Sequence, residues 1–224
     1  MDPRLSHVRD WIFDLDNTLY PASSGLFRHV DRRMTAYIAR LLEVDHDEAY
    51  RIQKGYFHGH GTTLAGLMAE HGVDPHHFLE DVHDIPLEDL TPDPRIVEGI
   101  AGLPGRAFIY TNGDAPYATR VLERLGLHSH FVHVHDIHAT AYRPKPERHG
   151  YELLLGQFDI DPAAAVMVED MAKNLKPAKE LGLTTVWVDN GSEQAQEAPE
   201  TAHVDIAIGD VGVWLQSLRQ GEQG

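Results

Sequence analysis

The 224-residue chain contains no cysteine. That absence excludes disulfides, thiolate metal sites and cysteine nucleophiles together, and it fits a reducing compartment. Basic residues are scarce: 19 Lys and Arg face 35 Asp and Glu, a formal net charge of −16. A protein this acidic is repelled by polyphosphate chains and anionic lipid, so neither a nucleic acid polymer nor a membrane surface is expected as a partner. Long hydrophobic runs are missing too, since no stretch approaches the roughly 18–20 apolar residues of a membrane span. Met1-Asp2-Pro3-Arg4 has neither the basic nor the apolar segment of a secretory signal, so a cytoplasmic location is expected. A small anionic substrate stays compatible, because a metal ion and one lysine can dominate the field inside a cleft.

What is present is an ordinary globular composition, 42% apolar and 24% charged, long enough for one large domain or a domain with a smaller insert. Short apolar runs at 8–13, 106–110, 132–134, 165–168, 184–188 and 204–208 read as buried strands. Helical patterns at 115–125, 147–158, 174–181 and 210–218 alternate with them. The alternation predicts a doubly wound, Rossmann-like parallel sheet covered on both faces, an α/β fold.

From residue 20 to residue 90 the strands stop. Leu26, Val30, Met34, Ile38 and Leu41 form an apolar stripe at helical spacing. Asp45-His46-Asp47-Glu48 opens a second helix, Gly61-Thr62-Thr63 a third that Gly72 ends, and Asp74-Pro75 a short fourth. Thr91-Pro92-Asp93-Pro94 marks the return to the core. The expected division is a core of residues 1–19 and 91–224 with a helical cap of residues 20–90. Ligands of such sheets bind outside the carboxyl ends of the strands, so the cap would lie over the site. Residues 191–201 read as a loop and 220–224 as a frayed tail.

Four strand ends carry polar groups that suit chemistry. In "WIFDLDNTLY", Asp14 and Asp16 are two positions apart and would face one spot if the strand runs on through them; the plainer reading is a strand end entering a turn that Thr18 helps to cap. Thr111-Asn112-Gly113 offers a hydroxyl and free N–H groups ahead of a helix, a phosphate-binding arrangement. Lys145 stands between Pro144 and Pro146, which restrict its backbone. Glu169 and Asp170 follow an apolar run, where two adjacent acids are costly unless paired or metal-bound. A hard cation bound through oxygens is expected, and Mg²⁺ fits best because it takes few carboxylates and keeps waters and phosphate oxygens.

In this order, Asp14-Leu15-Asp16-Asn17-Thr18, Thr111-Asn112, Lys145-Pro146 and Glu169-Asp170 with Asn174 resemble the four motifs of the haloacid dehalogenase-like hydrolases. The helical insert resembles that family's cap after the first motif. The resemblance implies that Asp14 is a nucleophile forming an aspartyl-phosphate, and that Asp16 protonates the leaving oxygen and then activates water. It implies further that Thr111, Asn112 and Lys145 hold phosphoryl oxygens, and that Asp14, Asp170 and the main-chain carbonyl of Asp16 bind Mg²⁺. Glu169 and Asn174 would support that set, and His138 would approach it. Dehalogenases of the family lack an acid at the position of Asp16, since a halide needs no proton to leave, so phosphate esters are favoured.

The stretch 11–21, the cap segment 56–67 and Asp136-Ile137-His138 are similar to the pyrimidine 5'-nucleotidases of the family. That implies a nucleoside monophosphate such as UMP or CMP, contacted by Tyr56, Thr62 and Thr63, although Thr62-Thr63 reads equally as a helix start. Sugar phosphates and pyridoxal phosphate are the alternatives. From another class, a phospho-aspartate receiver module uses similar groups, but it is usually about half this length and has no cap. His128, His130, His133, His135 and His138 lie close in sequence without a matching carboxylate set, and scattered imidazoles are favoured over a zinc or nickel site. A monomer is the default, with a homodimer open.

Overall fold

The computed structural model describes residues 2–191 and 199–220. Positions 192–198 of the expected loop and 221–224 of the expected tail lie outside the described residues. Six parallel strands form one sheet in the order β3-β2-β1-β4-β5-β6: β1 Asp10–Phe13, β2 Arg106–Tyr110, β3 His133–His135, β4 Ala165–Glu169, β5 Thr184–Val188 and β6 Ile206–Ile208. The fold is α/β, with a helical cap inserted after β1. Side chains alternate across β1: Trp11 and Phe13 enter the larger apolar cluster on one face, and Ile12 enters the second cluster on the other. Burial on both faces explains the unbroken apolar runs.

After β1 come α1 (Leu26–Leu42), α2 (His46–His60), α3 (Thr63–His71) and α4 (Pro75–His83). Their starts follow local chemistry. Asp45, Thr62 and Asp74 each accept a hydrogen bond from a backbone N–H of the first turn of α2, α3 and α4 respectively. Apolar residues of these helices, among them Ile38, Leu67, Phe78 and Val82, pack around a cluster of their own that Ile137 of the core joins. Across the sheet the chain continues through α5 (Pro94–Ala101), α6 (Ala115–Arg124), α7 (Arg148–Gln157), α8 (Ala172–Leu181) and α9 (Val211–Gln220).

Several boundaries differ from the sequence reading. α5 is absent from the helical patterns of the sequence, which read Thr91-Pro92-Asp93-Pro94 only as the return to the core; Asp93 caps its first turn. β3 sits one residue later than the apolar run suggests. Val132 is exposed, whereas the His135 ring is buried with Nε2 3.0 Å from the Gly150 carbonyl. Burial lowers its pKa to about 4, so the imidazole behaves as a neutral core side chain. β6 begins late because Asp205 uses its carboxylate to accept from the Thr185 N–H (3.0 Å) and hydroxyl (3.1 Å). α8 begins at Ala172, two residues early, and α9 runs to Gln220, where a frayed tail was expected.

Gly66 sets how closely α2 and α3 approach. A Cβ there would stand 2.4 Å from Cβ and Cγ of Tyr56, the root of that side chain rather than its mobile end. Gly66→Ala is therefore expected to destabilise the protein by about 1–3 kcal/mol through overpacking. Thermal unfolding measures it, and an unchanged midpoint would contradict the close packing.

Candidate active site

β1, β2 and β4 lie side by side, with Phe13 level with Ile109 and Val168. Chain connections leave β1 towards β2 on one side and return to β4 on the other, so the crevice at the carboxyl end of β1 is a topological switch point. Asp14 follows β1, Thr111 follows β2, and Asp170 follows β4, each one residue beyond the strand.

Lys145 reaches into this crevice from the loop before α7. Its buried ammonium donates to Asp14 Oδ1 at 2.6 Å, Glu169 Oε2 at 2.7 Å and the Tyr110 carbonyl at 2.9 Å. All three donor positions of the ammonium are thereby used. Burial opposes the charged form, but Asp14 and Glu169 outweigh it and hold the Lys145 pKa above its ordinary value. The Thr18 hydroxyl donates to the other Asp14 oxygen at 3.0 Å. Thr18, a turn cap only in the plainer reading of the sequence, thus fixes the carboxylate.

Carboxylate oxygens of Asp14, Glu169 and Asp170 lie within 4.8 Å of one another, all buried. Burial, and then the Glu169 charge, push the Asp14 pKa up to about 7 despite Lys145. Three acids facing one ammonium leave negative charge that a cation would offset. A donor set made of oxygens alone, without nitrogen or sulfur, fits a hard divalent ion. Glu169 is more central than its supporting rank in the sequence suggested: Oε1 accepts from Asn174 Nδ2 at 3.1 Å and from the Met171 N–H at 3.3 Å. Asn174 thus orients Glu169 from inside α8, rather than starting that helix.

Thr111 is buried, and its Oγ1 accepts from the Gly113 N–H at 3.0 Å. At Asn112, whose backbone was the part expected near phosphate, the side chain clamps the main chain of Lys145, accepting from its N–H at 2.8 Å and donating to its carbonyl at 3.4 Å. Asp16 does not join the acidic group through its side chain. Its Oδ1 accepts from the Tyr20 hydroxyl at 2.6 Å and the Tyr117 hydroxyl at 2.8 Å.

The cap residues expected to touch a nucleotide are occupied within the cap. Thr62 caps α3, accepting from the Ala65 N–H at 3.1 Å; Thr63 is buried; the Tyr56 hydroxyl lies 2.6 Å from His71 Nε2. The cap approaches the site elsewhere. Lys173 Nζ lies 4.7 Å from the centre of the Phe57 ring, and a Cβ on Gly61 would meet Pro144 at 3.5 Å. A cleft of about 700 Å³ between cap and core is lined by Arg33, His76, His83, Asp114, Tyr117 and Arg120, among others. His138 lines it too, stacked on His76 with ring centres 4.5 Å apart. His133 and His135 have ring centres 6.2 Å apart, but neither belongs to a metal-capable group among the described residues. Among the described residues, Asp14, Glu169 and Asp170 are the only such group able to hold a metal.

The raised pKa of Asp14 has a sign that can be measured. Its carboxyl keeps its proton in the folded state up to about pH 7, whereas an unperturbed carboxyl loses it near 3.8. The unfolded chain therefore binds fewer protons in that window, and the metal-free protein loses stability as pH rises through it. Asp14→Asn removes this term. In chelator, the melting temperature of Asp14→Asn minus that of wild type is expected to grow from pH 4 towards pH 7, and a constant difference would overturn the assignment.

A family profile described as haloacid dehalogenase-like hydrolase matches residues 11–182. A glyceraldehyde 3-phosphate phosphatase of Methanopyrus kandleri is 29% identical over 205 residues, covering 85% of this chain and 88% of the relative. A protein of the same name from Methanocaldococcus jannaschii is 27% identical over 215 residues, 89% and 92% of the two chains. The solved structure of the hydrolase YfnB of Bacillus subtilis, bound to magnesium, superposes with a TM-score of 0.61 at 15% identity, covering 95% of this chain and 97% of that one. Among the described residues, no helix is long and apolar enough to cross a membrane. With the profile spanning most of its length, the chain belongs to the haloacid dehalogenase-like hydrolases.

Proposed function

We propose that this protein is a Mg²⁺-dependent phosphatase of small sugar phosphates, of the class to which glyceraldehyde 3-phosphate belongs, working through an aspartyl-phosphate. One observation carries the chemistry. Asp14 is fixed through both oxygens, by Lys145 and by Thr18, beside two further buried acids, while a separate acid stands two residues on.

In this reading Asp14 attacks phosphorus, the ester bond breaks, and Asp16 gives its proton to the leaving alcohol. Water then attacks the phosphorus of the acyl phosphate. Asp16 takes its proton, phosphate departs, and Asp14 is regenerated. Asp14, Asp170 and the Asp16 carbonyl, with Glu169 beside them, would hold Mg²⁺, which supplies charge neutralisation between the anionic nucleophile and the phosphate. Lys145 keeps Asp14 oriented and offsets its charge, and Asn112 holds the Lys145 main chain in place. Thr111 and the N–H groups after it are the proposed donors to phosphoryl oxygens. Residues 20–90 act as the cap that shelters the reaction.

Two observations move the substrate from nucleotides to sugar phosphates. Both relatives carry the name of a three-carbon sugar phosphate phosphatase, and Tyr56, Thr62 and Thr63 are used inside the cap. A receiver module is disfavoured by Asp16, whose placement suits discharge of the acyl phosphate, and by the cap.

A phosphate-release screen with Mg²⁺ tests the substrate: glyceraldehyde 3-phosphate and other small sugar phosphates are expected to exceed UMP and CMP in kcat/KM. The reverse order would restore the nucleotide reading. Asp14→Asn is expected to lower kcat about 10³-fold or more on every substrate. Turnover should stop in chelator and return with Mg²⁺, and persistence in chelator would remove the metal from the reaction.

A further inference from the structure

Asp16 stands apart from the buried acids, and its surroundings are specific. The Tyr20 and Tyr117 hydroxyls both donate to one oxygen, Oδ1, at 2.6 and 2.8 Å. Tyr20 is four residues on in the chain; Tyr117 comes from α6, 101 residues away. Both phenols are fully buried. Burial first, and then the Asp16 charge, push their pKa values well above the ordinary range, so they keep their protons and donate. A carboxylate gripped at one oxygen cannot rotate freely about its last bond, and the other oxygen then points in one direction.

Tyr117 is itself held from the cap. The His83 ring at the end of α4 stacks on it with centres 4.2 Å apart and planes 10° apart. His83 Nδ1 lies 2.7 Å from Asp114 Oδ1, the same oxygen that accepts from the Tyr117 N–H at 3.3 Å. Arg120 adds two bonds, to the carbonyls of His83 (3.0 Å) and Ile85 (2.8 Å). A chain of contacts thus runs from the cap through His83 and Tyr117 to Asp16.

We infer that Tyr20 and Tyr117 are positioning residues for Asp16, aiming its second oxygen at the leaving group, and that His83 makes this aim depend on the cap lying against the core. The inference rests on the acid/base role of Asp16 proposed above. Proton donation matters only for poor leaving groups, and that separates positioning from general damage to the fold. An alkoxide leaves only with a proton, whereas dinitrophenolate leaves without one. For both esters kcat/KM reports the steps up to departure of the alcohol and is blind to the later hydrolysis.

The test measures kcat/KM of the Mg²⁺-loaded full chain on an alkyl phosphate and on dinitrophenyl phosphate. Tyr117→Phe and Tyr20→Phe are each expected to lose about tenfold or more on the alkyl ester and to stay near wild type on the dinitrophenyl ester. Circular dichroism checks the fold, and if one variant fails to fold the other decides. His83→Ala, which keeps both hydroxyls, is expected to move the ratio the same way; an unchanged ratio removes the cap from the inference. Asp16→Asn serves as reference. If it shows the bias while the tyrosine variants lose equally on both esters, or on neither, the positioning inference is overturned. If Asp16→Asn itself shows no bias, the acid/base reading fails instead.

Discussion

A single buried ammonium organises the centre of this protein. Lys145 lies between Asp14 and Glu169 with both contacts under 3 Å and almost no solvent. Placing those charges in the interior is expensive, and removal of one partner from a buried pair typically costs about 3–5 kcal/mol. The arrangement persists because each charge has several partners: Lys145 also meets the Tyr110 carbonyl, Asp14 meets Thr18, and Glu169 meets Asn174. Even so the balance is negative, since Asp170 adds a third acid. Burial first, and then that surplus, raises the pKa of Asp14, and the fit to a divalent cation expresses the same surplus.

The scaffold makes this tolerable by rigidity. Asp14, Thr111 and Asp170 each come one residue after a central strand, so their backbones inherit the register of the sheet; the Asp14 N–H still donates to the Val168 carbonyl at 2.9 Å. Lys145 lacks a strand, and the Asn112 side chain supplies the equivalent by pairing with its main chain on both sides. Asn112 therefore acts on the site through Lys145. A side chain spent in this way is hard to separate by sequence from one that touches substrate, because an amide serves equally well in both tasks.

That ambiguity marks the boundary of what was legible. Asp14, Glu169 and Asp170 could be singled out because an acid at the end of a buried apolar run needs a reason, and Lys145 because prolines on both sides restrict its backbone; in order, the four have few reasons in common. The parallel sheet was legible because strands buried on both faces are written as unbroken apolar runs. Tyr20, Tyr117 and His83 were not. A buried aromatic is ordinarily core, and nothing in the chain announces that two hydroxyls 97 positions apart converge on one oxygen. β3 slipped for a related reason: His135 is a polar letter with a neutral, buried ring. Thr62 was open to two readings, recognition or a helix start, and it caps the first turn of α3.

The cap's chemistry bears on substrate size. Tyr56 and Thr62 are spent inside the cap, and the cap meets the core through the face of Phe57 over Lys173, through Gly61 against Pro144 and through His83 beside Asp114 and Tyr117. Burial lowers the pKa of Lys173 from its ordinary value, with Glu169 opposing, and its ammonium lies 4.7 Å from the Phe57 ring of the cap. On the proposed reading, such a cap would select in part by the room it leaves around the phosphoester. A small phosphoester can be enclosed and water excluded, which strengthens each electrostatic contact at the phosphorus. Asp16 is joined to the cap by the contacts of Tyr117 and His83; if Asp16 is the proton donor proposed above, those contacts make its alignment depend on where the cap lies.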